Sequence, residues 1–219
     1  TRTVYETRGL VLGQWVGTDD NGATDSDPTG GGAPGNNMVQ VLANEYDYGE
    51  DMGDGLLTQQ TRMADDSSGN DRVVDYSYDF RGRLLDTTTT DGITIFISRN
   101  VYDNLDHVIG IDTYHSSVAD GNLTGRTRRY YDTTGKIYRE EIYAVDPDSG
   151  VATLSMVGEN WYDPTGRLVQ QVSPGSEAVT LISYDSLGRE VLRYLAYEPL
   201  SSSSSSEQSS SSHSSRSSR

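Results

Sequence analysis

The stretch Tyr162-Asp163-Pro164-Thr165-Gly166-Arg167 decides the fold, because its pattern of Tyr-Asp, two variable residues, Gly and a basic residue recurs along the chain. Further clean copies are Tyr78-Asp79-Phe80-Arg81-Gly82-Arg83, Tyr131-Asp132-Thr133-Thr134-Gly135-Lys136 and Tyr184-Asp185-Ser186-Leu187-Gly188-Arg189. Degraded copies are Tyr5-Glu6-Thr7-Arg8-Gly9, Tyr102-Asp103-Asn104-Leu105-Asp106-His107, and Tyr46-Asp47 with a Gly- and Asp-rich insertion from Gly49 to Gly55. A local motif at a spacing of roughly 20–40 residues is the signature of a repeat architecture.

Each copy predicts a tight hairpin turn. The Asp side chain accepts the backbone N–H two residues on, and Gly takes the position that needs a positive φ. A three-residue loop built from a type I turn and a left-handed Gly is a common hairpin closure. Pro164 follows Asp163, where its fixed φ suits a type I turn.

The residues on either side of the motif have the pattern of β-strands. Val74, Tyr76 and Tyr78 alternate with polar residues, and Ile93-Thr94-Ile95-Phe96-Ile97 is rich in β-branched residues. A second class of turn lies between the copies, as at Asp91-Gly92 and Pro174-Gly175-Ser176. The sequence therefore predicts an all-β fold: an antiparallel β-hairpin repeat array of about seven motif copies over residues 1–200, with its longest loop from Thr18 to Asn37. Residues 201–219 form a Ser-rich tail, predicted to be a linker or a poorly defined segment.

Composition excludes several classes of function. The 219 residues carry a formal net charge of −16, which argues against binding to nucleic acid or to an anionic membrane and suits an extracellular, self-repelling surface. Hydrophobic residues make up 33% of the chain, and 15 residues are Tyr. This composition favours a thin sheet whose faces are partly exposed to water over a thick hydrophobic core. The chain has no cysteine, so disulfides, a thiol nucleophile and a zinc finger are excluded. No signal peptide is visible, and the chain starts inside a predicted strand, so we expect a segment of a longer protein or a processed product.

Candidate catalytic patterns have simpler interpretations. Gly30 to Gly35 matches Gly-x-Gly-x-x-Gly, but no helix is predicted after it, so we interpret it as a loop. His107 occupies the basic position of a degraded copy, and Glu140 and Glu141 face opposite sides of a strand. We therefore predict that the chain is not an enzyme, with no catalytic, cofactor-binding or metal-binding residues.

Three acidic loops leave calcium as a weak alternative to solvated carboxylates. They are Asp19-Asp20-Asn21, Asp25-Ser26-Asp27 and Asp65-Asp66, and none has the spacing of an EF-hand.

The repeated motif residues are predicted to be architectural. We expect each Tyr to pack against its counterpart in the next hairpin, and the basic residues Arg83, Lys136, Arg167 and Arg189 to form a row that pairs with acidic side chains across strands. The acidic candidates are Asp79, Asp132, Asp163 and Asp185. The turn glycines Gly82, Gly135, Gly166 and Gly188 complete the set. A groove for acidic polysaccharide, with Trp15 and Trp161 stacking on sugar rings, is the functional alternative.

The four clean copies resemble the repeats of the RHS/YD family (rearrangement-hotspot and tyrosine–aspartate repeats), and the resemblance covers Thr1 to about Leu200. It implies a long ribbon of β-hairpins that coils into a hollow spiral shell, of bacterial origin. In toxin systems of this family, such shells enclose a toxic C-terminal domain. The Asp-Pro-x-Gly-rich segment that precedes those domains is not seen after Tyr184, so the resemblance does not carry the caged-toxin function to this chain.

We therefore expect a non-catalytic extracellular or cell-surface protein that stacks or polymerises into a hollow shell, tube or fibre. Its partners would be copies of itself or further repeats of the same array. Part of a toxin-enclosing cocoon and a glycan-binding adhesin module are the two alternatives.

Overall fold

The computed structural model describes residues 1–47, 55–64 and 70–197. The Ser-rich tail, residues 49–54 of the predicted insertion and Asp65-Asp66 lie outside the described residues. Within them, the strands are β1 (Arg2–Tyr5), β2 (Val11–Val16), β3 (Val39–Tyr46), β4 (Leu57–Arg62), β5 (Arg72–Tyr78), β6 (Leu84–Asp91), β7 (Thr94–Tyr102), β8 (Val108–His115), β9 (Leu123–Tyr131), β10 (Ile137–Val145), β11 (Ala152–Tyr162), β12 (Leu168–Val172), β13 (Ala178–Tyr184) and β14 (Glu190–Tyr197). One turn of 3-10 helix spans Asp120–Asn122, and no helix of this described part is long and apolar enough to cross a membrane.

All fourteen strands form one antiparallel sheet in chain order, from β1 at one edge to β14 at the other. The predicted antiparallel β-hairpin array is confirmed. Each odd-numbered strand ends on the Tyr of a motif copy, so the chain consists of seven hairpins joined side by side.

The turns of the seven motif copies, called corners here, share a closing hydrogen bond between the second motif residue and the residue just before the next strand. In the corner that starts at Tyr78, the N–H of Asp79 donates to the carbonyl of Arg83 (2.9 Å), and the N–H of Gly82 donates to the carbonyl of Asp79 (2.9 Å). The corner Gly has a positive φ, between +74° and +83° at Gly9, Gly82, Gly135, Gly166 and Gly188. This is the expected hairpin turn, closed by a Gly in the left-handed conformation.

The degraded copy at Tyr102 keeps the corner geometry. Asp106 stands where the motif has Gly and adopts a φ of +68°. The closing bond from the N–H of Asp103 to the carbonyl of His107 is also present, at 3.0 Å. Asp is one of the few side chains that tolerates this conformation, so the copy can lose its Gly without losing its turn.

The sheet has little interior. Among the described residues only six hydrophobic side chains are buried, and a small cluster of Ile97, Tyr114 and Leu123 is the main contact region. Trp161 is 40% exposed and Phe80 is 82% exposed. Most of the structural order therefore comes from backbone pairing and from side-chain contacts along the sheet.

The long loop between β2 and β3 is tied at its base. The side-chain oxygen of Asn37 accepts the N–H groups of Thr18 (2.9 Å) and Asp19 (2.8 Å). The Gly-rich stretch lies inside this loop and is followed by strand β3, as the loop interpretation of Gly30 to Gly35 requires.

Replacing Gly135 by Val should destabilise the fold by about 1–3 kcal/mol, because a β-branched residue is strained at a φ of +80°. Gly9 has the same conformation (φ +83°), and a Cβ added there would meet no atom within 4 Å, so Gly9→Val isolates the backbone strain. Gly121 has open space and no positive φ. Urea unfolding should show a loss for Gly135→Val and Gly9→Val and almost none for Gly121→Val. Equal values for all three would show that the corners do not need a left-handed residue.

Candidate functional site

The junctions between neighbouring hairpins are where the motif side chains meet. Between β6 and β7, the backbone pair closest to the corners is Asp86 opposite Arg99. Leu84 therefore lies two residues beyond the end of that ladder. Its carbonyl accepts a hydrogen bond from the hydroxyl of Tyr102, the corner Tyr of the next hairpin, at 2.8 Å. A side chain thus takes over where backbone pairing stops.

The same hydroxyl-to-carbonyl bond occurs at all six junctions of the sheet, at 2.8–3.0 Å. The donor and acceptor pairs are Tyr46 to Val11, Tyr78 to Leu57, Tyr102 to Leu84, Tyr131 to Val108, Tyr162 to Ile137, and Tyr184 to Leu168. Each of these hydroxyls thus contacts the preceding hairpin, and the packing of each Tyr on its counterpart in the next hairpin stays a prediction.

Every second junction has an additional donor that the sequence reasoning missed. Asn44, Asn100 and Asn160 each stand two residues before a corner Tyr, and their side-chain N–H groups donate to the same carbonyls (2.9–3.0 Å). The signal was present in the sequence as Asn-x-Tyr-Asp in alternate copies. Those three carbonyls therefore accept two side-chain hydrogen bonds instead of one.

The basic residue of a corner lies over the ring of the next corner Tyr. The guanidinium carbon of Arg83 is 4.5 Å from the ring centre of Tyr102, and that of Arg167 is 4.8 Å from the ring centre of Tyr184. The ammonium nitrogen of Lys136 is 5.2 Å from the ring centre of Tyr162. His107 takes the same position and stacks on Tyr131 with ring centres 4.5 Å apart. These are cation–π or stacking contacts that join consecutive hairpins.

The predicted row of ion pairs across hairpins differs from what forms. Arg83, Arg167 and Arg189 pair with the Asp of their own corner, with N–O distances of 2.6–2.7 Å. Lys136 donates instead to the carbonyl of Gly166 in the next corner. Two pairs do cross between corners, both to Asp106: from Arg83 at 2.6 Å and from Arg81 at 2.8 Å. The ion pairs lie mostly inside corners, because each Asp carboxylate accepts a backbone hydrogen bond from the basic residue of its own corner, which places that side chain beside the carboxylate.

The Asp carboxylates of the clean corners accept hydrogen bonds from the backbone. Asp163 accepts the N–H groups of Thr165 and Arg167, both at 2.9 Å, and the hydroxyl of Thr165 at 2.7 Å. These donors hold the pKa of Asp163 well below its ordinary range, with the Thr165 hydroxyl as the main cause. The pKa of Asp79 is lowered mainly by the Arg83 side chain. The pKa values of Asp132 and Asp185 are lowered mainly by the backbone N–H groups of Lys136 and Arg189, respectively.

A charge ladder across strands does exist, but away from the corners. Asp86, Arg99, Asp112 and Arg126 lie opposite one another on β6 to β9. Asp112 is only 5% exposed and accepts hydrogen bonds from Arg126 and Arg128, with a shortest distance of 2.6 Å. Burial would raise the pKa of Asp112, but these two guanidinium groups hold it below its ordinary value. The ladder was missed because it depends on the strand register.

The residues considered for chemistry have structural partners. The Nδ1 atom of His107 lies 2.9 Å from the Asp103 carboxylate, as a basic corner residue would. Glu140 bonds Arg129, while Glu141 accepts from Tyr130, Tyr143 and Arg139.

The acidic loops within the described ranges bond to their own chain. Asp20 pairs with Arg2, and Asp27 accepts from Thr29 and Gly31. Across 1–47, 55–64 and 70–197, no three His, Cys, Asp or Glu residues are grouped to hold a metal ion.

Comparison with known proteins supports an RHS-like fold. No protein-family model matches the chain, and no curated protein matches it in sequence. Among solved structures, the chain is similar to crystal structures of TcdB2-TccC3-Cdc42 (TM-score 0.60, 87% of this chain) and TcdB2-TccC3-TEV (TM-score 0.58, 89% of this chain). It is also similar to the Tc holotoxin pore of Photorhabdus luminescens carrying the mutation TccC3-D651A (TM-score 0.58, 87% of this chain). Identity is 17% in each case, and the chain spans 9% of the length of each matched chain.

Tyr131→Phe should destabilise the sheet by about 1 kcal/mol, because the Val108 carbonyl loses the hydroxyl that donates a hydrogen bond to it. Tyr102→Phe is the matched control, since the Leu84 carbonyl keeps the Asn100 side chain as a donor. Urea unfolding should therefore give a smaller loss for Tyr102→Phe than for Tyr131→Phe. The opposite order would mean that the hydroxyl bonds do not stabilise the junctions.

Stability should fall in acid. A carboxyl group whose folded pKa is lowered contributes stability above its unfolded pKa, about 3.9 for Asp, and loses that contribution as pH falls through the folded value. The aspartates of the four clean corners all have lowered pKa values, so the free energy of unfolding should drop below about pH 4. Asp163→Asn should flatten part of this dependence in urea titrations run between about pH 2.5 and 7. A free energy of unfolding equal at about pH 3 and pH 6 would exclude the corner carboxylates as its source.

Proposed function

We propose that this chain is a non-catalytic structural repeat protein whose sheet is extended at its edges into the wall of a hollow shell, tube or fibre. The observation that carries the proposal is the strand order: one sheet from β1 to β14, with an outer strand at each end. An outer strand presents a row of backbone N–H and C=O groups that can pair with another strand. Further hairpins of the same kind, or other copies of the chain, would supply that strand.

The β14 edge has the composition of a contact surface. Its apolar side chains are exposed on both faces of the sheet: Leu195 (63%) and Tyr197 (71%) on one face, and Leu192 (53%) and Tyr194 (47%) on the other. Exposed apolar groups on a long outer strand favour association. The acidic surface implied by a net charge of −16 would keep such a protein in solution outside the cell, so we place it in the extracellular medium or at a bacterial cell surface.

The motif side chains support an architectural role. Corner tyrosines, aspartates and basic residues are used in turns and junctions. The proposal therefore includes no catalytic residue and no cofactor, and it needs none to account for the repeated motif.

Electron microscopy of the purified full chain tests this function. We expect ribbons, tubes or closed shells that grow with protein concentration, because each added copy buries two open edges. Arg193→Pro should reduce assembly, since proline removes a backbone N–H from the β14 edge and is poorly tolerated within a sheet. Val118→Pro, placed in the loop between β8 and β9, is the control away from the edges. Isolated particles at every concentration would contradict self-assembly.

An encapsulating cocoon is the second candidate function. It is favoured by the structural similarity to chains of Tc toxin structures, in which this chain would correspond to 9% of the length of the matched chain. Limited proteolysis of a natural polypeptide that contains this repeat array separates the two. A protected segment released only when the sheet is unfolded supports a cocoon, whereas uniform cleavage outside the array supports a wall without cargo.

A glycan-binding module is the third candidate. Trp161, Tyr130 and Tyr138 are 38–44% exposed, and the last two rings are 6.3 Å apart. Aromatic rings of this kind can stack on sugars. Saturable binding on a glycan array that is lost in Tyr138→Ala would favour this candidate over a scaffold.

A further inference from the structure

The six internal junctions define a rule for how one hairpin receives the next. The first residue of an even strand offers its carbonyl to a corner Tyr hydroxyl. Two residues further on, the backbone ladder begins opposite the third residue before that Tyr, as in Asp86 with Arg99 and Arg139 with Glu159. Where a basic residue stands just before the even strand, as at Arg83, Lys136 and Arg167, it covers the Tyr ring.

The last corner presents one half of such a junction. Glu190 is the first residue of β14 and lies opposite Tyr184, as Leu84 lies opposite Tyr78. Arg189 stands at the basic position, and its side chain is 74% exposed, compared with 20% for Arg83 and 35% for Arg167, which each cover a ring. Beyond Glu190, the rule leaves Leu192 to Tyr197 available as six positions for a ladder.

We propose that the β14 edge is a docking site for one kind of partner: an antiparallel strand of this repeat type that ends in Tyr-Asp. The Tyr hydroxyl donates to the Glu190 carbonyl, and its ring lies beneath Arg189. Leu192 pairs with the third residue before the Tyr, so the incoming strand has a defined register. The proposal rests on the proposed function, in which the sheet grows at its edges.

The six ladder positions require a strand that begins eight residues before its corner Tyr. Strand β7 has the required length. Placed on β14 by the same rule, Arg99 lies opposite Leu192 and Thr94 opposite Tyr197, which uses all six positions.

A synthetic peptide with the sequence of residues 94–103 is the probe, added to the full chain and followed by calorimetry. We expect saturable binding of one peptide per chain and, in excess, shorter assemblies in electron micrographs because the edge is capped. The peptide with both Asn100→Ala and Tyr102→Phe should bind about threefold to tenfold more weakly, since it lacks both side-chain donors that serve this carbonyl position within the sheet.

Variants of the chain test the same contacts from the other side. Arg189→Ala should weaken binding about twofold to fivefold through loss of the ring contact. Arg83→Ala is the matched control: it occupies the same corner position but already has its ring partner within the sheet, so peptide binding should not change.

The register can be tested by cross-linking, because the chain contains no cysteine of its own. Hydrogen-bonded and non-hydrogen-bonded residue pairs alternate along an antiparallel ladder, and side chains lie closer together in the non-hydrogen-bonded pairs. A disulfide should therefore form in one of two adjacent pairs: Arg193→Cys with the Ser98→Cys peptide, or Tyr194→Cys with the Ile97→Cys peptide. Arg193→Cys with the Ile97→Cys peptide should not, because those side chains would lie on opposite faces.

The outcomes separate this site from the proposed function. Peptide binding that is insensitive both to the double substitution Asn100→Ala with Tyr102→Phe and to Arg189→Ala, or an offset cross-link, overturns the site. Failure of the peptide to bind while the chain still assembles also overturns it and leaves the proposed function standing. Absence of assembly together with specific peptide binding would contradict the function and leave the site standing.

Discussion

The hydrogen bond from a corner Tyr hydroxyl to the carbonyl of the preceding hairpin is the contact on which the sheet depends. Backbone pairing between hairpins stops two residues short of the carbonyl that accepts this bond, as at Asp86 and Leu84. The hydroxyl reaches across that gap, and the basic residue of the neighbouring corner covers the ring. A turn within one hairpin and a joint between two hairpins are therefore built from the same few residues.

This arrangement explains how a chain with so few buried side chains holds fourteen strands in one sheet. The central cluster of Ile97, Tyr114 and Leu123 is small, and the two faces of the sheet remain partly wet. Neighbouring hairpins instead contact each other through a ladder and a hydroxyl bond, and at four of the six junctions also through a ring contact. In such a linear architecture, stability is approximately a sum over neighbouring units, so every added hairpin adds a similar increment. An array of this kind can be lengthened without redesigning its interior.

The motif position that tolerates change shows what the corners require. Asp106 replaces Gly and keeps the left-handed turn, and His107 replaces a basic residue and keeps both its Asp partner and its Tyr ring. A copy whose sequence departs from the motif therefore still keeps the geometry of the corner. The constraint acts on conformation and on stacking, and more than one residue type meets it.

Turns, strand order and fold class could be predicted from the amino-acid pattern because they depend on contacts between residues close in the chain. Asp79 and Gly82 shape a turn with their immediate neighbours, and consecutive hairpins in such a meander have no alternative order. The ring that Arg83 covers, the carbonyl that Tyr102 binds and the arginines that bind Asp112 could not be predicted, because they are 19, 18 and at least 14 residues away and depend on strand register. Local chemistry dictates where this polypeptide bends, whereas the placement of one hairpin beside the next sets which ring, carbonyl and charge each side chain meets, since those distances exist only once the strands are aligned.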